Sequence, residues 1–158
     1  MTGKREELMR RAVALSAEKM RTGAGGPFGC VIARDGEIIA EGSNQVTSAN
    51  DPTAHAEVVA IREACRKLNS FSLEGCELYT SCEPCPMCLG AIYWARLDRV
   101  YYANTRVDAA AIGFDDDHIY RELDKTIGDR AVPFIHMAST EAQQVFKEWM
   151  EKPDKIPY

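Results

Sequence analysis

FGCVIARDGEIIAEG, residues 28–42, places two β-prone apolar runs on either side of Asp35-Gly36. Asp-Gly between such runs is the strongest short-range hairpin signal, because both residues accept the positive φ that a tight two-residue turn demands. The stretch therefore predicts paired antiparallel strands at 28–33 and 37–42. Before it, Leu8, Ala12, Leu15 and Met20 recur at roughly helical spacing through residues 4–22, and Gly23 ends the run. Glycines 23, 25 and 26 with Pro27 make a turn-rich connection. After the hairpin the elements alternate. SNQVTSANDPTA (43–54) is a polar loop in which Asp51 or Thr53 can cap a helix over 54–68. CELYT (76–80) reads as a strand, and a helix begins near Pro84-Cys85. RVYYA (99–103) reads as a buried strand, and 107–124 as short helical pieces carrying Asp115, Asp116 and Asp117. PFIHMA (133–138) predicts a last strand, followed by a helix over 139–151 and the tail KPDKIPY. One hairpin followed by alternation predicts an α/β fold, with helices on both faces of one mixed five-stranded sheet, a three-layer α/β/α sandwich. Strands joined through helices should run parallel, with right-handed crossovers.

At 158 residues the chain predicts a single domain, 1–158. Its 46% hydrophobic and 27% charged residues are the balance of a globular protein, not a disordered one. A net charge of −5 and a pI near 5.3 weigh against a nucleic-acid partner, which usually meets a basic patch. MTGKREELMRRAVAL lacks an apolar core followed by a small-residue cleavage site, so no signal peptide is expected. No apolar run reaches the ~18 residues that a membrane span needs. The expectation is a cytoplasmic protein with reduced thiols, whose six cysteines point to metal binding or burial before disulfides.

Three of those cysteines, Cys82, Cys85 and Cys88, fall within seven residues. Cys85 and Cys88 are three apart and share a helix face. Thirty residues earlier stand His55, Ala56 and Glu57 at another expected helix start. In mid-helix, residues two apart diverge, but in a first turn both can reach a group beyond the helix end. Two helix N-termini would converge there, with dipoles that favour thiolates. One imidazole and two thiolates suit zinc and leave a fourth position for water, the arrangement of a catalytic site. Glu57, beside the metal but not bound to it, can shuttle protons. His-x-Glu followed by Pro-Cys-x-x-Cys is the pattern of zinc nucleobase deaminases. Cys82 leaves an alternative open, because His55, Cys82, Cys85 and Cys88 could close a structural four-ligand site.

With these motifs the chain resembles the cytidine-deaminase-like superfamily and, more narrowly, the compact bacterial guanine deaminases. The narrower resemblance rests on GGPFG (25–29), NDPTAHAEV (50–58), SCEPCPMCLGAIYWAR (81–96), DAAAIGFDD (108–116) and a final Tyr158. It implies hydrolysis of guanine to xanthine and ammonia, with one Zn2+ per subunit on His55, Cys85 and Cys88. It implies that Glu57 and Asp116 serve catalysis. Asn44, the backbone of Ala56, Phe28, Trp94, Asp116 and Tyr158 would bind the base. Asn44 is apt on physical grounds as well, since its amide offers both a donor and an acceptor. The resemblance also implies a homodimer that exchanges a C-terminal segment, 140–158, so that Tyr158 closes the partner's pocket. Other readings of these residues stay open: core packing for Phe28, Tyr93 and Trp94, and a solvated run for Asp115–Asp117, with Asp115 the other candidate acid.

Three other functions compete. A tRNA adenosine deaminase of this type carries basic residues toward its C-terminal helix, whereas TEAQQVFKEWMEK (140–152) is mixed in charge. Cytosine, cytidine or another aminated heterocycle would use the same chemistry. A zinc-stabilised binding module would need no Glu57.

Overall fold

The computed structural model describes residues 2–158. Helix α1 (Thr2–Arg21) leads into strands β1 (Gly29–Arg34) and β2 (Glu37–Ser43). The turn between them has Asp35 and Gly36 at φ 52° and 82°, the positive pair that Asp-Gly predicted. A short helix α2 (Val46–Ala49) precedes α3 (Ala56–Leu68). Strand β3 (Cys76–Cys82), helix α4 (Pro86–Trp94) and strand β4 (Arg99–Asn104) follow, and then α5 (Arg106–Ala111), α6 (Asp117–Asp124) and α7 (Thr140–Glu151). The sheet order is β2-β1-β3-β4. β1 is antiparallel to both β2 and β3, whereas β3 and β4, joined through α4, run parallel as expected.

Alternation along the strands assigns the two faces. Val31 and Ala33 of β1 and Tyr79 of β3 pack with Leu8, Ala12 and Leu15 of α1. Cys30, Ile32, Cys76 and Leu78 face the other way, onto Ala56, Ala60 and Ala64 of α3 and Ile92 of α4. The alanines recur every four residues, so α3 presents a narrow stripe of small side chains to the sheet. Gly42 of β2 completes that close approach. A Cβ there would lie 2.6 Å from the Ala60 nitrogen and 3.0 Å from its Cβ, and nearer still to the Ala56 carbonyl oxygen. The first turn of α3, which carries His55 and Glu57, is thus pressed onto the sheet.

The expected five-stranded sheet is corrected to four strands among the described residues. Residues 133–138 have the β-prone composition of a strand, but among the described residues they enter no sheet. Phe134, Ile135 and Met137 are exposed, the last two at 82% and 86%. β4 is not the buried strand expected. Among the described residues it pairs only with β3, at the edge of the sheet, and leaves Tyr102 half exposed. The chain divides into two compact units, one ending at His118 and the other spanning Ile119–Tyr158. Among the described residues no helix is long and apolar enough to cross a membrane.

Candidate active site

Helices α3 and α4 begin in the same way. His55 is the N-cap of α3 and Cys85 that of α4, each with extended backbone and no side-chain cap. Asp51 and Thr53, the expected caps, bond to each other instead. Asp51 Oδ1 accepts from the Thr53 N–H at 2.8 Å and from its hydroxyl at 2.6 Å. The His55 imidazole is therefore free to act beyond the helix end. Pro86 follows Cys85 at a first-turn position where a missing N–H costs no hydrogen bond. Cys88 lies one turn further on.

His55 Nδ1 stands 3.5 Å from Cys85 Sγ and 3.6 Å from Cys88 Sγ. A tetrahedral zinc with bonds of ~2.0–2.3 Å holds neighbouring ligand atoms ~3.5 Å apart, so the three donors fit that ion. The Cys88 hydrogen bond and the adjacent His55 pull the Cys85 thiol down to about 4, while Cys88 is driven up by its bond to Cys85 and by burial. A divalent cation removes that competition by taking both as thiolates. Cys82 does not join them. It stands apart from the three-residue cluster, its thiol 3.7 Å from the Thr105 carbonyl oxygen. Burial raises it to about 11. The four-ligand structural alternative is thereby set aside.

Glu57 is 7% exposed. Its Oε1 accepts from the Thr80 hydroxyl at 3.2 Å, and its Oε2 lies 3.4 Å from Cys88 Sγ. Burial raises this carboxyl above its ordinary value, and the backbone N–H of Glu57 itself, then the contacts with Cys88 and Thr80, oppose the rise. Such a group can both hold and release a proton beside the metal position.

Asn44 is buried directly after β2. Its Oδ1 accepts from the Gly26 and Val46 N–H groups, both at 3.2 Å. Two backbone donors fix which end of the amide they meet, so a ligand is offered the NH2 end alone. The expected donor-and-acceptor pair becomes a donor. A Cβ at Gly25 would overlap the Asn44 backbone carbonyl and stand 2.7 Å from Oδ1, so the loop passes this close only with glycine there. Phe28 packs edge to face on Phe114, with centroids 4.9 Å apart. It also lies against the core, as the packing reading expects.

The acidic run divides by role. Asp115 Oδ1 accepts from the Asp117 N–H at 3.0 Å, which turns the chain into α6. Asp116 is half buried, and its carboxyl is raised first by burial and further by the negative charge of Cys85. Ala56 is buried, at a first-turn position where the backbone N–H has no partner within the helix. Trp94, at the end of α4, is 64% exposed, and Tyr93 is also exposed, which overturns core packing for both. Tyr158 is exposed, within the second unit. Thr80 and Phe114 were missed in the sequence. Thr80 could have been found as the hydroxyl on an otherwise apolar strand face, and Phe114 through its place beside Asp115.

The family described as the cytidine and deoxycytidylate deaminase zinc-binding region matches residues 2–104. That span carries all three metal donors and Glu57. The chain belongs to this zinc-binding deaminase family. It is a zinc-dependent aminohydrolase, with His55, Cys85 and Cys88 positioned for the ion. The deaminase is 55% identical to guanine deaminase of Bacillus subtilis (strain 168), over 97% of this chain and 98% of that one. The X-ray structure of the Bacillus subtilis guanine deaminase superposes with a TM-score of 0.95 over the same shares of both chains. The deaminase is also 37% identical to a tRNA-specific adenosine deaminase of Aquifex aeolicus (strain VF5), over 80% of this chain and 81% of that one.

Proposed function

We propose that this deaminase hydrolyses guanine to xanthine and ammonia. The observation that carries the substrate is the 55% identity to a guanine deaminase across nearly the whole of both chains. The metal site alone does not choose a base, because a tRNA adenosine deaminase shares much of the same chain at lower identity. The net charge of −5 gives a polyanionic substrate no support.

When bound, zinc supplies a Lewis acid that lowers the pKa of a coordinated water to about 7. Glu57 takes the proton of the attacking water. It passes protons to the ring nitrogen beside C2 and to the departing amine, so that guanine and water become xanthine and ammonia. Asn44 donates through its amide NH2 to an acceptor on the ring, and its fixed carbonyl prevents the opposite pairing. The Ala56 N–H adds a second donor. Phe28 and Trp94 flank the ring, and Asp116 holds the edge that bears the amine and assists proton transfer.

The protein works as a homodimer in the cytoplasm. The exposed apolar side chains of Phe146 and Trp149 support an exchange in which a second copy supplies 140–158. Tyr158 of that copy then closes the pocket. The test is ammonia release from guanine, adenine, cytosine, cytidine and guanosine in parallel. Turnover confined to guanine supports the assignment, and turnover of another base with guanine inert removes it.

A further inference from the structure

We infer that Thr80 is the positioning residue for the Glu57 carboxylate, holding one of its oxygens so that the other faces the metal cluster. The inference rests on the proton-shuttle role of Glu57. Thr80 lies in the interior of the sheet, where β3 has a strand on each side and Thr80 pairs with Cys30 of β1 and Tyr102 of β4. Its side chain shares the strand face of Cys76 and Leu78, which packs against α3 and α4. Every demand of that position is met by valine, which has the same shape and β preference without a hydroxyl to desolvate. Among the described residues the hydroxyl has one partner, Glu57 Oε1, to which it donates at 3.2 Å.

The two oxygens of Glu57 are not equivalent. Oε2 meets the Cys88 sulfur at 3.4 Å. A cysteine that ligates zinc is a thiolate and has no proton to donate, so that contact cannot anchor the carboxyl in the working enzyme. The Thr80 hydroxyl is neutral, comes from the rigid sheet and keeps its proton whatever the metal does. Together with the backbone N–H of Glu57 itself, its bond to Oε1 fixes the plane of the carboxyl, and Oε2 is left beside the cluster to exchange protons. The first turn of α3 fixes the position of Glu57, and Thr80 fixes the rotation of its carboxyl. Thr80 touches neither substrate nor metal.

The test compares Thr80→Val, Thr80→Ser, Glu57→Gln and the Glu57→Gln/Thr80→Val pair as zinc-loaded full chains. Zinc content, thermal midpoint, kcat and KM are measured for each. A hydrogen bond to a charged group has a net value that corresponds to roughly a 10- to 100-fold effect. Thr80→Val should lose that much in kcat with KM and zinc content unchanged, Thr80→Ser should restore most of it, and the pair should be no slower than Glu57→Gln alone. Parental kcat in Thr80→Val would overturn the inference, as would a loss confined to KM, a loss of zinc, or a failure of serine to rescue. An active Glu57→Gln would instead remove the shuttle role on which the inference stands. An inactive Glu57→Gln beside a normal Thr80→Val would remove the inference alone.

Discussion

Gly42→Ala should disable the enzyme although residue 42 touches neither substrate nor metal. The added Cβ would stand 2.6 Å from the Ala60 nitrogen, whereas ordinary contact begins at 3.4 Å, so the first turns of α3 must retreat by about 0.8 Å. The Ala56 carbonyl oxygen, closer still, sets a larger demand. Neither atom belongs to a flexible side chain, so the strain must be taken by the backbone of α3 or β2. Overpacking of this kind costs about 1–3 kcal/mol. At ~2–4 °C per kcal/mol for a chain of this size, the thermal midpoint should fall by several degrees. The functional loss should be larger, because α3 delivers His55 and Glu57 while Cys85 and Cys88 arrive on α4. A misplacement of ~1 Å between such groups can cost ~100-fold in rate. Differential scanning fluorimetry, zinc content and steady-state ammonia release on the same preparations measure all three effects. A zinc-replete Gly42→Ala enzyme with parental midpoint and kcat would refute the claim that close packing of α3 on β2 sets the site.

Cys82→Ala should keep one zinc per chain, whereas Cys88→Ala should lose it. Metal analysis after exhaustive dialysis decides, and loss of zinc from the Cys82 variant would restore the four-ligand site. Asp116→Asn should lower kcat/KM by at least about tenfold, as loss of a charged hydrogen-bonding partner does. Asp115→Asn should change kcat/KM far less, because Asp115 Oδ1 serves the backbone turn into α6; equal losses in parallel assays would contradict this division. Arg11 grips Glu41 through two hydrogen bonds of 2.6 and 2.9 Å, which hold the Glu41 carboxyl below its ordinary value of 4.5. A depressed folded pKa stabilises above the unfolded value and is lost as the pH falls through the folded one. Glu41→Gln should therefore destabilise the protein at pH 7 by about 0.2–1 kcal/mol, the range for a partly exposed pair. In thermal melts the deficit should shrink below pH 4.5, and a deficit that grew with acid would have the wrong sign.

The hairpin at 28–42 was legible because Asp35-Gly36 is a local signal that needs no tertiary context. The metal triad was legible for a similar reason, since its residue types and spacings are dictated by the ion. Residues 133–138 were misread because apolar β-prone composition shows that a segment suits a sheet without showing which backbone it pairs with. The cap of α3 was misassigned because Asp51 and Thr53 can satisfy each other. Thr80 was invisible because a threonine in a strand needs no special explanation until Glu57 is seen lying on it. The orientation of Asn44 likewise depends on Gly26 and Val46 delivering their N–H groups to its carbonyl, which no spacing rule encodes.

In the proposed reaction Glu57 moves the protons at a zinc site built from His55, Cys85 and Cys88. The most direct measurement is guanine turnover by Glu57→Gln beside the parent, with zinc determined on the same samples. Both proteins should hold one zinc per chain, and Glu57→Gln should lose ~100- to 10,000-fold in kcat, the span of general acid–base catalysis. A zinc-replete Glu57→Gln enzyme that kept most of its turnover would contradict that role.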